Sequence, residues 1–528
     1  MTLQSIARLA AGLCWVLAAA ISLAFMVIGL YVADRGFDIT DEAYHVLWST
    51  APGQYLYTGT MSGHLLAPIM KLAGGDIATF RATGMVLLAV MAGATWFAWR
   101  GRENSSVRSG VAIAIALAGS IFFYQATSWL GTPSYNSLAL FAGYALFAAT
   151  GLLARNGSWQ AAAFLAGLAG LCAAASRPPA GAAFALIYAM AIVVSARTPR
   201  QALRDFVAAG IATLVLAALL ALFVVDAPAI VRQYANFWSL WMGTNEVTSR
   251  SHGQLTGFLI AQAEGVPLSI GFGVVALSAI ARWYDRFAAR SAVVALAVVY
   301  FVYAYVQTRM SAYTIPEVMQ ISCGALSLIS IAICVGDKAR IRGLLVLALA
   351  VLIPFVASLG SANLFARAAF QFIGIAAVGV VIATASVFGQ RIAAIPALGF
   401  VLMLTQYLPD SLAKPYRLPA DIWSQTIPFE FPGHGTLRLD ARTHAMLEGV
   451  ARVTETHGFR HGMPVLDFTG QSPGIAVAIG GATPGTPWLV GGYDWSDRQL
   501  VAVLDSLGEA QRHAAWVIWG DNQRAVDR

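Results

Sequence analysis

"LAAGLCWVLAAAISLAFMVIGLYVADRGFDITDEAYHVLW", Leu9 to Trp48, joins two kinds of sequence. Residues 9–32 form an unbroken apolar run, and a helix needs about 20 such residues to cross a bilayer. The run is longer than the roughly 7–15 apolar residues of a secretory signal, so it is read as a retained first span. Directly after it stand Asp38, Asp41 and Glu42, three carboxylates where lipid headgroups would lie.

The rest of the chain repeats the first half of that pattern. Of 528 residues 58% are hydrophobic and only 11% charged, against about 25% charged in a soluble domain. Mean hydropathy is +0.68. A polytopic α-helical membrane protein follows, and a soluble enzyme on one anchor is excluded. Spans are expected near 9–32, 80–99, 110–127, 137–154, 161–176, 180–196, 206–225, 266–281, 291–306, 318–335, 344–357, 368–388 and 392–408, about 13 in all. Cys14, Cys172, Cys323 and Cys334 all lie in apolar runs, with no CxxC pair and no disulfide framework.

Charge orients these spans. With the N-terminus cytoplasmic, the segments on that side hold 15 of the 23 basic residues of 1–408 and four acids, Glu103, Asp205, Asp285 and Asp337. The opposite side holds 8 basic and 9 acidic residues. This asymmetry obeys the positive-inside rule. It also accounts for the net charge of +7, which therefore says nothing of nucleic acid, and no nucleic-acid partner is expected.

Two domains are expected. Residues 1–408 make the transmembrane part, with long outer loops at 33–79 and 226–265. In them Ala43–Tyr57, Leu65–Leu72 and Ile230–Met242 are amphipathic and aromatic, as helices lying along the membrane surface are. Residues 409–528 differ, with 10 basic and 13 acidic residues. They open on a proline-rich linker, "PDSLAKPYRLPADIW". "MPVLDF" (463–468) and "AAWVIWG" (514–520) read as buried strands, and "DRQLVAVLDSLGEAQR" (497–512) as an amphipathic helix. Thirteen crossings place this small α/β domain outside the cell membrane. Its glycine-rich "GGATPGTPWLVGGY" opens no helix in a G-x-G-x-x-G pattern, so no nucleotide site is assigned.

The acidic cluster has a structural reading. Thr40 can cap a helix that begins at Asp41, and carboxylates in a first turn favour the helix dipole. It also has a chemical one. On a helix Asp41, His45 and Trp48 share a face. A carboxylate partly desolvated at the membrane edge gains the basicity of a general base, and an adjacent aromatic offers a wall to a sugar or an isoprenoid. All three histidines of the membrane part, His45, His64 and His252, fall on the outer side. So do "TPSYN" with Tyr135 and Asn136, "SRPP" with Arg177, "QTRMSAY" with Arg309, and "SLGSANLFAR" with Asn363 and Arg367. Carboxylates on one loop and arginines on others suit an anionic, phosphate-bearing ligand beside a catalytic base.

About thirteen spans, a cytoplasmic N-terminus and "TDEAYHVLW" in the first outer loop resemble the GT-C glycosyltransferases. The layout is similar to that of the protein O-mannosyltransferases and the lipid A aminoarabinose transferases. "SLGSANLFAR" resembles a Gly-x-x-Asn stretch in a late outer loop of some bacterial members. The resemblance implies the GT-C fold and a polyprenyl-phosphate sugar donor. It implies a glycan, lipid or protein acceptor on the periplasmic face of a bacterial inner membrane, and one displacement that inverts the anomeric centre. Matching the motif puts Asp41 first as base, then Glu42 and Asp38. Many members have Pro where this chain has Thr40, which leaves the choice among the three open. Arg309, Arg367, Arg177 and His64 are the expected phosphate ligands. His45, Trp48, Tyr135, Asn136, His252 and Asn363 are the expected substrate contacts. No metal is required by the monophosphate-donor members, although Asp38, Asp41 and Glu42 could hold Mg²⁺ or Mn²⁺ as carboxylate ligands. The rival readings are a transporter or flippase, a polymerase or ligase of lipid-linked glycans, and an inactive scaffold that binds a partner. The first should carry charges near the bilayer midplane and two similar halves, and this sequence has neither.

Overall fold

The computed structural model describes residues 2–57, 59–99, 131–242, 266–310, 316–360, 369–492 and 495–520. Among these residues, eleven helices are long and apolar enough to cross a membrane, from Gln4–Tyr31 to Gln390–Ala413. Each coincides with an expected span. The expected span 110–127 lies outside the described residues. The expected span 344–357 falls on a shorter apolar element, Ile341–Val356, in which Ile341–Ala350 gives way to the single turn Ile353–Val356, with Pro354 in its first turn.

Packing sorts the helices into inner and outer. Tyr135–Ala154 is 83% buried over its apolar window and forms the hub. Ser134 starts it, accepting the N–H groups of Asn136 and Ser137 in a capping box. Its glycines admit close neighbours: a Cβ on Gly151 would lie 2.6 Å from Trp99, whose indole donates to the Phe147 carbonyl at 2.8 Å. Pro199–Phe223 buries none of its window, and Leu214, Leu222 and Phe223 face outward as lipid-contacting side chains do.

Three shorter helices, Asp41–Thr50, Ser62–Leu72 and Ala227–Met242, occupy the two long loops where amphipathic segments were expected. The C-terminal region follows from Gln390–Ala413, which carries Pro409 inside it, so the helix ends five residues beyond the expected boundary at 408. Parallel strands β3 (Val465–Asp467) and β4 (Trp516–Ile518) match the two expected strands. The expected helix 497–512 is two, Ser496–Ser506 and Glu509–Ala514, separated at Gly508.

An antiparallel hairpin, β1 (Ile427–Phe431) with β2 (Gly435–Leu439), and the helix Ala441–Thr456 escaped the sequence reading. Their signals were present. Ile427, Phe429 and Phe431 alternate with Pro428 and Glu430, "PGHG" supplies a turn with Gly433 and Gly435 at positive φ, and Asp440 caps the helix.

The hairpin does not sit apart. Phe429, Phe431, Leu437 and Leu439 share one apolar core with Phe37, Val46, Leu47, Leu66 and Phe80 of the first long loop and the helix after it. Backbone bonds sew the edge: Gly36 N–H to the Arg438 carbonyl at 2.8 Å, Arg438 N–H to the Asp34 carbonyl at 2.7 Å. The C-terminal region thus completes the core beneath the acidic helix.

Candidate functional site

The three carboxylates of the quoted stretch have three different fates. Asp38 is buried and caps the helix. Its carboxylate accepts the N–H groups of Thr40, Asp41 and Glu42 at 3.0, 3.1 and 3.3 Å, and the Thr40 hydroxyl at 2.6 Å. Thr40, the expected cap, makes no side-chain cap bond. Asp38 lies far enough back to reach over the whole first turn, and Thr40 turns its hydroxyl to Asp38 instead.

Glu42 is 1% exposed and ion-paired with Arg81, itself 1% exposed, at 2.6 Å. The Thr132 hydroxyl donates to the same oxygen, and the Asp38 N–H donates to the other at 3.0 Å. Arg81 spends its remaining donors on the carbonyls of Ala33, Arg35 and Gly36. Burial pushes the Glu42 carboxyl above its ordinary value, and Arg81 and Thr132 oppose that shift. The pair fastens the first long loop to the helix Ile77–Trp99. Sequence reasoning passed over Arg81, although a charge just inside an apolar span always needs a partner.

Asp41 keeps solvent contact, with its side chain 19% exposed. Its carboxylate accepts the Tyr416 hydroxyl at 2.9 Å and pairs with the Arg417 guanidinium at 2.8 Å. Arg417 also donates to the Thr40 hydroxyl and lies over the Tyr416 ring. Its φ of 55° is left-handed, a conformation costly for a side chain with Cβ and concentrated at functional sites. Both residues come from "KPYRLP", read in the sequence only as a linker. Burial, with the negative charge of Asp41 next, raises the Tyr416 hydroxyl well above its ordinary value.

Beside Asp41 stands an aromatic group. Tyr44 stacks parallel to Trp48 at 6.4 Å, and His45 meets Tyr44 at 5.0 Å and Tyr135 at 5.3 Å. The Arg177 guanidinium covers the Tyr135 ring at 5.2 Å, donates to the Asn136 side-chain oxygen, and donates to the Ala357 carbonyl at 3.2 Å. Tyr135, Asn136 and Arg177 are thus one group, and half-buried Tyr135 carries it toward His45.

His45 and Trp48 do not form an exposed wall. His45 is 1% exposed, and burial pushes its imidazole down to about 3, so it is neutral at physiological pH. Trp48 is wholly buried against Tyr55 and His64, and its ring lies where a side chain on Gly63 would stand. His64 is equally buried and bonds through Nε2 to the Gln233 side-chain oxygen at 3.0 Å. Because the Gln233 amide donates to the Pro52 and Tyr55 carbonyls, its oxygen must accept, and His64 Nε2 carries the proton. His64 therefore anchors the surface helix Ala227–Met242 and is committed away from Asp41. His252, Asn363 and Arg367 lie outside the described residues, as does the side chain of Arg309.

Asp38, Asp41 and Glu42 do not converge on a point, and Arg81 sits on a Glu42 oxygen that a cation would need. Among the described residues no group of three acidic, histidine or cysteine side chains is placed to hold a metal ion. What the arrangement offers chemically is one partly exposed carboxylate, that of Asp41, two guanidinium groups, those of Arg417 and Arg177, three phenols, those of Tyr44, Tyr135 and Tyr416, and a buried aromatic floor. No family model, no curated protein and no solved structure matches the chain.

Proposed function

We propose that this polytopic membrane protein is a glycosyltransferase of the GT-C type, taking a sugar from a polyprenyl-phosphate donor to an envelope acceptor. The observation that carries the proposal is the division of labour among the acids. Asp38 is consumed by capping and Glu42 by Arg81, whereas Asp41 alone of the three is partly exposed, beside an arginine suited to phosphate.

The reaction follows from those groups. Asp41 accepts the proton of an acceptor hydroxyl. The oxygen bonds the anomeric carbon as the bond to the lipid phosphate breaks, and the centre inverts. Arg417, with Arg177 behind Tyr135, stabilises the departing phosphate. A donor phosphate beside Arg417 competes with Asp41 for its guanidinium and so releases the base when the donor arrives. The aromatic side chains Tyr44 and Tyr135 offer apolar faces to a pyranose ring. On this reading the N-terminus is cytoplasmic, and Asp41 and the C-terminal region face the periplasm.

The test is sugar transfer by purified protein in nanodiscs, with a panel of radiolabelled polyprenyl-phosphate monosaccharides and total envelope extract as acceptor. Transfer of label by the wild type but not by Asp41→Asn supports the proposal. Failure of every donor to be bound or consumed overturns it.

A further inference from the structure

We propose that the membrane face opposite Asp41 carries a built site for the headgroup of an anionic phospholipid. A cavity of about 720 Å³ lies there among the ends of four apolar helices: Tyr135–Ala154, Pro178–Ser195, Val266–Trp283 and Ile341–Ala350. Its volume falls in the usual range for small-ligand pockets, roughly 300–1,000 Å³. Arg197, Lys338 and Arg342 all line it, and no carboxylate does.

Positive charge on this face is needed for topology alone, but topology does not require the charges to converge or to lack counter-ions. Four cations on this face have counter-ions. Arg204 pairs with Asp205 at 2.7 Å, and Arg282 and Arg290 pair with Asp285 at 2.8 and 3.5 Å. Lys338 shares Asp285 at 3.4 Å. Arg197 and Arg342 have no acidic partner among the described residues, and these two face the same cavity. Two such guanidinium groups offer paired N–H donors to the oxygens of a phosphate.

The remaining lining selects a lipid over a soluble phosphate. Val194, Ala279 and Leu345 give the cavity an apolar wall continuous with the spans, where acyl chains lie. Trp283, 81% exposed, stands at its rim, the usual place of an indole at the headgroup level. Basic pockets between helix ends on one membrane face are the known form of headgroup sites. The site is separate from the Asp41 group and does not depend on the glycosyltransferase reading.

The experiment uses the full chain, delipidated in a neutral detergent, with thermal unfolding followed during titration by phosphatidylglycerol, phosphatidylcholine or inorganic phosphate. Phosphatidylglycerol should stabilise the protein saturably at concentrations about tenfold below those of phosphatidylcholine. In Arg197→Gln/Arg342→Gln that preference should vanish. In Arg200→Gln/Arg391→Gln, which removes the same charge elsewhere on this face, it should persist. If the first double variant does not survive purification, Lys338→Gln serves, with a weakened preference expected. Equal responses to the two lipids, or equal losses in both double variants, overturn the proposal. Saturation by inorganic phosphate at the concentrations effective for phosphatidylglycerol would assign the cavity to a soluble anion and overturn it too.

Discussion

Arg417, in a left-handed backbone conformation just past the last span, holds the carboxylate of Asp41, just past the first, at 2.8 Å. The two ends of the membrane part are thereby closed on one another at the candidate site. This contact makes the region after the last span part of the site.

Replacing either partner should separate chemistry from stability. Asp41→Asn should lower sugar transfer by about 100- to 10,000-fold, the range for loss of a general base. Arg417→Ala should lower it by about 100-fold or more as the leaving phosphate loses its charge partner. Because Asp41 and Arg417 are both partly exposed, neither change should cost more than about 1 kcal/mol of stability. Initial-rate kinetics and thermal unfolding on the same preparations check this; activity retained in Asp41→Asn removes it as base.

Glu42 and Arg81 should behave in the opposite way. Each side chain is almost wholly buried, so Glu42→Ala or Arg81→Ala leaves a charge without its partner and should cost about 3–5 kcal/mol. The double replacement should cost less than the two single ones together. A double-mutant cycle in denaturant decides, and additive costs would show that the pair is not a unit.

Acid should weaken the fold through His45. Its imidazole falls to about 3 in the fold, against about 6.5 in an unfolded chain. The unfolded state therefore binds the proton more readily between those values. The stabilisation is complete above about pH 6.5 and is lost as pH falls below it, by about 1.4 kcal/mol per unit. His64, lowered by burial, acts in the same direction. Unfolding measured from pH 7.5 to 4.5 should show the slope in wild type and a shallower one in His45→Gln; parallel slopes would refute the assignment.

A chain ended after Ala413 should not yield a stable membrane part. It loses Tyr416 and Arg417, and it strips Phe429, Phe431, Leu437 and Leu439 from the core they share with Phe37, Val46 and Phe80. Size-exclusion chromatography should give aggregate or no protein. A monodisperse peak at wild-type yield would mean that the C-terminal region is merely appended.

Gly63→Ala tests the floor of the site. The added methyl would stand 2.1 Å from Trp48, in a wholly buried cluster with Tyr55 and His64, and should cost about 1–3 kcal/mol. Unfolding and tryptophan fluorescence report it together; an unaltered protein would mean that Trp48 has room to move.

Hydropathy alone located the eleven spans among the described residues, because a bilayer imposes on each crossing a local rule of length and apolarity that needs no knowledge of neighbours. Residues 33–79 were legible as a surface segment for the same reason, and β3 and β4 as strands from their short apolar runs. The roles within "DITDE" were not legible. Asp38, Asp41 and Glu42 are the same chemistry within five positions, and only their partners distinguish them. Thr40, Asp41 and Glu42 offer Asp38 their backbone, Arg81 and Thr132 reach Glu42, and Tyr416 with Arg417 reach Asp41. The partners of Glu42 and Asp41 stand elsewhere in the chain, in a span, in a loop and in a supposed linker. A carboxylate's task is set by which donors desolvate and neutralise it, and that is decided when distant segments pack.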